Sequence, residues 1–177
     1  MEECELACLR GRARPIGKGL YRETYRYERF AIKVDRAGRK AGEVRERALA
    51  KFEHFRSAGG ELKFLPKFYG VVVSAKKCED GWSPVVVSFH EYVPPIRRIR
   101  IEDIYGILRL VERAAQHGYV LDLKPSNFGK KGGKYYYLDE YGLGRNPIPP
   151  DVREDFRCLF NQVTQALKKI LMLRGRQ

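Results

Sequence analysis

The sequence predicts an α+β fold, on three observations. Strand-type runs rich in Val, Ile, Phe and Tyr crowd residues 13–92, with one helix-type stretch among them. Helical periodicity returns at Ile101 to His117 and again from Val152 to about Leu173. Between those helices stands a hairpin signal, Lys130-Lys131-Gly132-Gly133-Lys134, because paired glycines supply the positive φ of a short turn. With 177 residues the chain is one domain or two small lobes, large enough for a real core.

In chain order, residues 1 to about 12 read as a frayed helix or a loose start. Ala13 to Ile16 and Thr24 to Tyr27 read as strands with Gly17-Lys18-Gly19 between them, and Phe30 to Val34 as a third. A glycine turn at that place lets backbone N–H groups approach a phosphate chain closely. Gly42 to about Ser57 reads as an amphipathic helix with Ala48, Leu49, Phe52 and Phe55 on its apolar face, stopped by Ala58-Gly59-Gly60. Phe68 to Ser74 and Pro84 to Tyr92 are strands joined through Glu79-Asp80-Gly81 as a hairpin, and His90 falls inside the second as a strand residue. Pro94-Pro95 stop that strand. In the helix Ile101 to His117, Ile104, Leu108, Val111 and Ala115 share one face, and Gly118 ends it. Tyr135-Tyr136-Tyr137-Leu138 has the aromatic content of a strand. Asn146 to Pro150 is a rigid connector, and Asp151 caps the final helix with Glu154 three residues on. That helix has Phe156, Leu159, Phe160, Val163, Leu167, Ile170 and Leu171 on its apolar face.

Composition excludes more than it selects. The formal charge of +13 favours acidic partners. The basic residues are scattered, with no run of five or six, which argues against a nucleic-acid module. No apolar run approaches the roughly 20 residues of a membrane helix. The opening MEECELACLRGR lacks the apolar centre of a signal peptide. Cys4, Cys8, Cys78 and Cys158 show no CxxC pair or zinc spacing and read as reduced thiols of a cytoplasmic protein.

Chemistry concentrates around the glycine hairpin. The run D-L-K-P-S-N, Asp122 to Asn127, stands before it and Asp139 after it. Closing the hairpin folds Asp139 back beside Asp122 and Asn127. Three oxygen-bearing side chains so placed can position a hydroxyl and hold a divalent cation.

D-L-K-P-S-N resembles the catalytic loop of protein kinases, and the strand ending in Asp139 resembles the one carrying their metal-binding acid. Gly17-Lys18-Gly19 followed by Ala31-Ile32-Lys33 resembles their glycine-rich loop and strand-three lysine. The resemblance spans roughly residues 12 to 144. Within the protein kinase-like superfamily the chain looks closest to the YrbL-like group of small bacterial kinase-like proteins. The carriers are GKGLYRETY, where Arg22 stands in place of a third glycine, and LDEYGLGRNPIPP. A minimal kinase effector, secreted by a pathogen into a host cytosol, has a similar layout.

The resemblance implies a minimal two-lobed kinase-like fold as a single domain over 1–177. A five-stranded antiparallel N-lobe with one helix would cover about 9–93, a hinge about 91–97, and a truncated helical C-lobe about 98–177. It implies ATP and Mg²⁺, with Gly17, Lys18 and Gly19 covering the phosphates and Lys33 binding the α- and β-phosphates. Glu46, with Glu43 as runner-up, would orient Lys33, and the backbone at Glu91 and Val93 would meet adenine. Asp122 would accept the proton of an acceptor hydroxyl, on a protein or another acidic partner. Lys124 would stabilise the transferred phosphoryl group, and Asn127 and Asp139 would hold magnesium. Four departures qualify this. Val120-Leu121 replace the usual His-Arg, D-E-Y-G is one residue longer than D-F-G, no A-P-E follows, and the chain beyond Gly144 leaves room for one helix. They motivate the alternative of a pseudokinase, a nucleotide-binding regulatory module.

Overall fold

The structure, a computed structural model, describes residues 5–6, 12–19, 22–35, 41–78, 81–139, 144–145, 161, 164–165, 167–169 and 172–173. The hairpin tip Glu79-Asp80, the stretch 140–143, the connector 146–150 with Asp151, and most of the final helix lie outside these residues. The chain divides into two compact units, Met1–Gly60 with Pro66–Tyr92 and Glu61–Leu65 with Val93–Gln177.

The first unit is an antiparallel sheet with one helix against it. Its strands are β1 Glu5–Leu6, β2 Arg14–Lys18, β3 Arg22–Tyr27, β4 Phe30–Asp35, β5 Phe68–Cys78 and β6 Gly81–Glu91, in the order β1-β5-β6-β4-β3-β2. Five of these match the predicted strands. β1 is an addition, pairing Glu5 with Lys77 and Leu6 with Lys76 at the edge of β5. Period-two alternation splits the sheet into two faces. Ile32, Val34, Val85 and Val87 form a buried cluster on one, flanked by Tyr25, Tyr27, Phe30 and Phe89. On the other, Val86 packs against Val44 and Ala48 of helix α1, Ala41–Glu61.

Two expectations for α1 are corrected. Its sheet-facing stripe is Val44, Ala48, Lys51, Phe55 and Ala58, whereas Leu49 is 59% and Phe52 42% exposed. The apolar residues of this helix admit two stripes one position apart, and the sheet selects the one ending in fully buried Ala58. The helix also runs through Gly59 and Gly60, which were expected to stop it. Two helical glycines cost about 1 kcal/mol each. Ala58, just before them, is fully buried, and its burial and that of Phe55 offset the cost.

The second unit contains α2, Ile101–Gln116, followed by β7 Tyr119–Val120, a 3₁₀ turn over Pro125–Asn127, and the hairpin of β8 Phe128–Lys131 and β9 Lys134–Tyr137. A short β10, Gly144–Arg145, pairs with β7. Gly132 (φ 55°) and Gly133 (φ 75°) make the predicted turn, both residues at positive φ. The predicted face of α2 is also rotated. Asp103, Leu110, Val111 and Ala114 are buried and Ile104 is exposed. Asp103 faces inward because it caps its own helix, accepting the Arg100 N–H at 3.0 Å, and pairs with Lys130 Nζ at 2.9 Å. Tyr135 OH donates to the same carboxylate at 2.9 Å. This triad ties β8 and β9 to the start of α2.

The ring of Tyr135 lies directly over Gly106, where a Cβ would overlap it. Gly106→Ala should therefore destabilise the protein by about 1–2 kcal/mol, since overpacking outweighs the propensity gained. Gly59→Ala, in a helix with open space around it, should stabilise by roughly 0.5–1 kcal/mol. Urea midpoints of the two variants shifting the same way would contradict this account of α2.

Candidate functional site

Lys33 sits in the middle of β4, between Thr24 of β3 and Ser88 of β6 in register, and is buried. Alternation puts it on the α1 side of the sheet with Ala31 and Asp35 of its own strand and Ser88 and His90 of β6. This face carries a concentration of buried charge. Asp35 is gripped from α1 by Lys51 Nζ at 2.7 Å and Arg47 Nε at 2.9 Å, and Arg22 stands directly opposite it on β3. Burial lowers the Lys51 pKa to about 8, against the pull of Asp35 and with the help of Arg22 and Arg47. His90 packs edge-on to Phe55, ring centroids 4.8 Å apart. Burial, then the charges of Lys33, Arg22 and Lys51, push its pKa down to about 2, so it is neutral at any ordinary pH.

Glu46, expected to orient Lys33, lies on the exposed side of α1, as does Glu43. Glu46 is two residues from both Val44 and Ala48, so the stripe that faces the sheet puts it on the opposite side of the helix. The α1 side chains that reach β4 are basic, and the carboxylate they meet, Asp35, is on the strand.

The expected glycine turn is also displaced. Gly17 and Lys18 belong to β2, paired with Thr24 and Glu23, and only Gly19 lies in the bend, donating its N–H to Arg22 O at 2.8 Å. Lys18 Nζ stands 3.9 Å from Glu23 Oε1, a carboxylate also bonded by Lys76 at 2.7 Å. Glu91 closes β6, donating its N–H to Lys67 O at 2.7 Å. Val93 is buried in the second unit.

The second unit gathers the other candidates at one place. Leu121, buried, leads into Asp122, whose backbone N–H donates to the Tyr137 hydroxyl at 3.0 Å. The Asn127 amide nitrogen donates to Asp122 O at 3.3 Å. Asn127 O accepts the Leu138 N–H at 2.7 Å, which continues the hairpin ladder beyond Phe128 and Tyr137. Asp139 follows, close enough for its charge, with that of Asp122, to act on the Tyr137 phenol. Burial first, then those two carboxylates, hold this phenol far above its usual range. The Asp122 backbone thus bonds one buried hydroxyl, and Asp139 lies near enough for its charge to act on it. The side-chain oxygens of Asp122, Asn127 and Asp139 are the hard donors that a divalent cation such as Mg²⁺ takes.

Lys124 is on the rim, 73% exposed, its Nζ 3.2 Å from Asp122 Oδ2. Burial alone would raise the Asp122 carboxyl, but the Lys124 ammonium and N–H, then Asn127, outweigh it and hold the pKa below the usual value. Asp122 is therefore an anion at neutral pH, able to accept a hydrogen bond from a hydroxyl.

Two groups of residues at these sites were missed in the sequence. Tyr137 stands in a run of three tyrosines, and alternation alone could have marked one of them as inward-facing. The Asp35–Lys51–Arg47 cluster had one signal, an acid ending an apolar strand two residues after a lysine.

The fold so defined is α+β, an antiparallel sheet with one helix followed by a second unit of helix and hairpin. No protein-family model matches the chain, and no curated protein does. Among solved structures it is similar to a crystal structure of WbdD, at 15% identity and a TM-score of 0.48, over 84% of this chain and 37% of that one. It is also similar to a co-crystal structure of WbdD with the kinase inhibitor LY294002, at 15% identity and a TM-score of 0.45, over 82% and 36%. The chain thus spans little more than a third of the WbdD chain. No helix of the described residues is long and apolar enough to cross a membrane.

The state of His90 can be tested by acid. Unfolded, the imidazole titrates near its ordinary value of 6.5, while folded it stays neutral to about 2. The unfolded chain therefore takes up a proton that the folded chain refuses, and stability present above about pH 6.5 is lost as pH falls. The loss between pH 7 and pH 5 should be about 2 kcal/mol. Denaturant titrations at successive pH values should show this slope in the wild type and a flatter one in His90→Gln. Equal slopes would mean that His90 is accessible to protons.

Proposed function

We propose that this protein is an ATP- and Mg²⁺-dependent phosphotransferase with a minimal two-lobed kinase-like fold, moving the γ-phosphoryl group of ATP to a hydroxyl. The observation that carries the reading is the meeting of Asp122 and Asn127 at the hairpin that leads to Asp139, where the Asp122 N–H bonds the Tyr137 hydroxyl and the Asp139 charge acts on it. Support comes from the first unit, where Lys33 occupies the middle of a strand on a face rich in buried cations.

Each residue has a role that its chemistry suits. Lys33 would bind the α- and β-phosphates, its side chain buried on the α1 side of a rigid strand. Gly19, with Gly17 and Lys18 at the end of β2, would lie over the phosphates, and the backbone at Glu91 and Val93 would meet adenine. Asp122, an exposed anion, would take the hydroxyl proton of the acceptor at a carboxylate oxygen. Asn127 and Asp139 would hold Mg²⁺, which when bound neutralises charge on the phosphates. Lys124 would leave Asp122 to meet the transferred group. Little covalent work is asked of the protein, because positioning and charge supply most of the acceleration. The orienting role expected of Glu46 is not carried over, since the helix turns that side chain to solvent. We place the protein in the cytoplasm and its acceptor on a protein or another acidic partner, in keeping with the net charge of +13.

The exposed Glu46 favours one second reading, a nucleotide-binding module that transfers nothing. Incubation with γ-labelled ATP and Mg²⁺, alone and with fractionated lysate, separates the two, since only the phosphotransferase moves label. Lys33→Ala removes a charge-assisted contact of about 1.5–3 kcal/mol and should weaken ATP binding by roughly ten-fold or more. Asp122→Asn should lower transfer by orders of magnitude and leave ATP affinity within a few-fold. Calorimetry finding unchanged affinity in Lys33→Ala would remove the nucleotide assignment, and undiminished transfer by Asp122→Asn would remove the base.

A further inference from the structure

Tyr137 is 1% exposed, and its ring packs edge-on to Phe128, its partner across the hairpin, with centroids 5.5 Å apart. A phenylalanine would serve that packing equally well. The hydroxyl therefore has another use, because a buried phenol gives up hydration that only good partners return. Its partner is the Asp122 N–H, and the charges of Asp139 and Asp122 both bear on it.

The loop it braces has little else to hold its shape. Residues 121–124 have no regular structure, and the bonds about the 3₁₀ turn after them are local ones, from Lys124 N to Asp122 Oδ1 at 3.2 Å, from Asn127 N to Lys124 O at 2.9 Å and from Phe128 N to Pro125 O. Leu121 anchors the start of the loop by burial. From there to the turn, the bond from Asp122 N–H to Tyr137 ties the loop to the hairpin. Asn127 reaches Asp122 O from the other side, at 3.3 Å. The hydroxyl is thus the point at which the loop bearing Asp122 and the hairpin that ends in Asp139 are bonded together.

We propose that Tyr137 is a positioning residue for phosphoryl transfer, its hydroxyl fixing the Asp122 backbone, and through it the Asn127 amide, against the hairpin that leads to Asp139. The inference rests on the phosphotransferase reading and adds to it a residue that touches neither nucleotide nor acceptor. It acts through Asp122 and Asn127, so its loss should slow the transfer step and spare nucleotide binding.

The test is Tyr137→Phe in the full chain, which deletes one oxygen and keeps the ring. Tyr135→Phe is the control. It removes a hydroxyl from the same strand, one that bonds Lys130 and Asp103 on the α2 side. Label transfer, KM for Mg·ATP and thermal midpoint are measured for all three proteins. Tyr137→Phe should lose roughly ten- to a hundred-fold in kcat, the scale of a small misplacement of reacting groups, with KM within about two-fold. Tyr135→Phe should lower the midpoint and keep kcat within about two-fold. In ¹⁵N-correlated spectra the Asp122 amide should shift in Tyr137→Phe and not in Tyr135→Phe, a readout that needs no turnover. Wild-type kcat in Tyr137→Phe, or equal kcat losses in both variants, would overturn the inference while leaving the phosphotransferase reading intact. A wild type that binds ATP but moves no label would overturn that reading, and the inference with it.

Discussion

Gly132 and Gly133, both at positive φ, turn the chain so tightly that Phe128 must face Tyr137, and the rest of the second unit's site follows from that register. Asn127 stands one residue before Phe128, and Asp139 two residues after Tyr137. A slip of one residue would invert every side chain of β9 and turn the Tyr137 hydroxyl away from the loop. The packing of Tyr137 on Phe128 resists that slip, because both rings are buried and neither strand has another aromatic residue buried as deeply. Lys130, Tyr135 and Asp103 then fix the hairpin to α2 through three mutual bonds.

The first unit solves a different problem, that of keeping charge inside a small sheet-and-helix core. Buried ions cost several kcal/mol each unless paired and hydrogen-bonded. Asp35 receives Lys51 and Arg47 from the helix and faces Arg22 across the strand, so one carboxylate organises three cations. The depressed pKa of Lys51 shows that compensation is partial. Replacing such a cluster by apolar residues would often stabilise a fold, and here it lies on the same buried face as Lys33. His90 survives there by remaining neutral among cations, packed against the stacked pair Phe55 and Phe68.

Legibility varied with the kind of question. Strands β3 to β6 could be read because β-branched and aromatic runs have few other uses, and α2 because its end carried Gly118. The faces of both helices were misread. In α1 the apolar residues fit two stripes, and Leu49 and Phe52, the larger ones, are those left outside. In α2 the buried position belongs to a charged residue, Asp103, which no hydrophobic pattern would choose. The exposure of Glu46 has the same origin as the stripe, since both depend on the rotation of α1 about its axis.

By itself the sequence determined what is local. Paired glycines made the turn, alternation made the strands, and the spacing of Asp122, Asn127 and Asp139 around the turn set which groups a closed hairpin would bring together. Those outcomes need only backbone preferences and chain connectivity, both written in neighbouring residues. The tertiary structure decided which side of each helix faces inward, which of three tyrosines directs its hydroxyl into the loop, and which carboxylate answers the buried cations. These depend on contacts between residues far apart in the chain. Single side chains do not encode them, because the energy that settles each is the burial and pairing of a partner from another element.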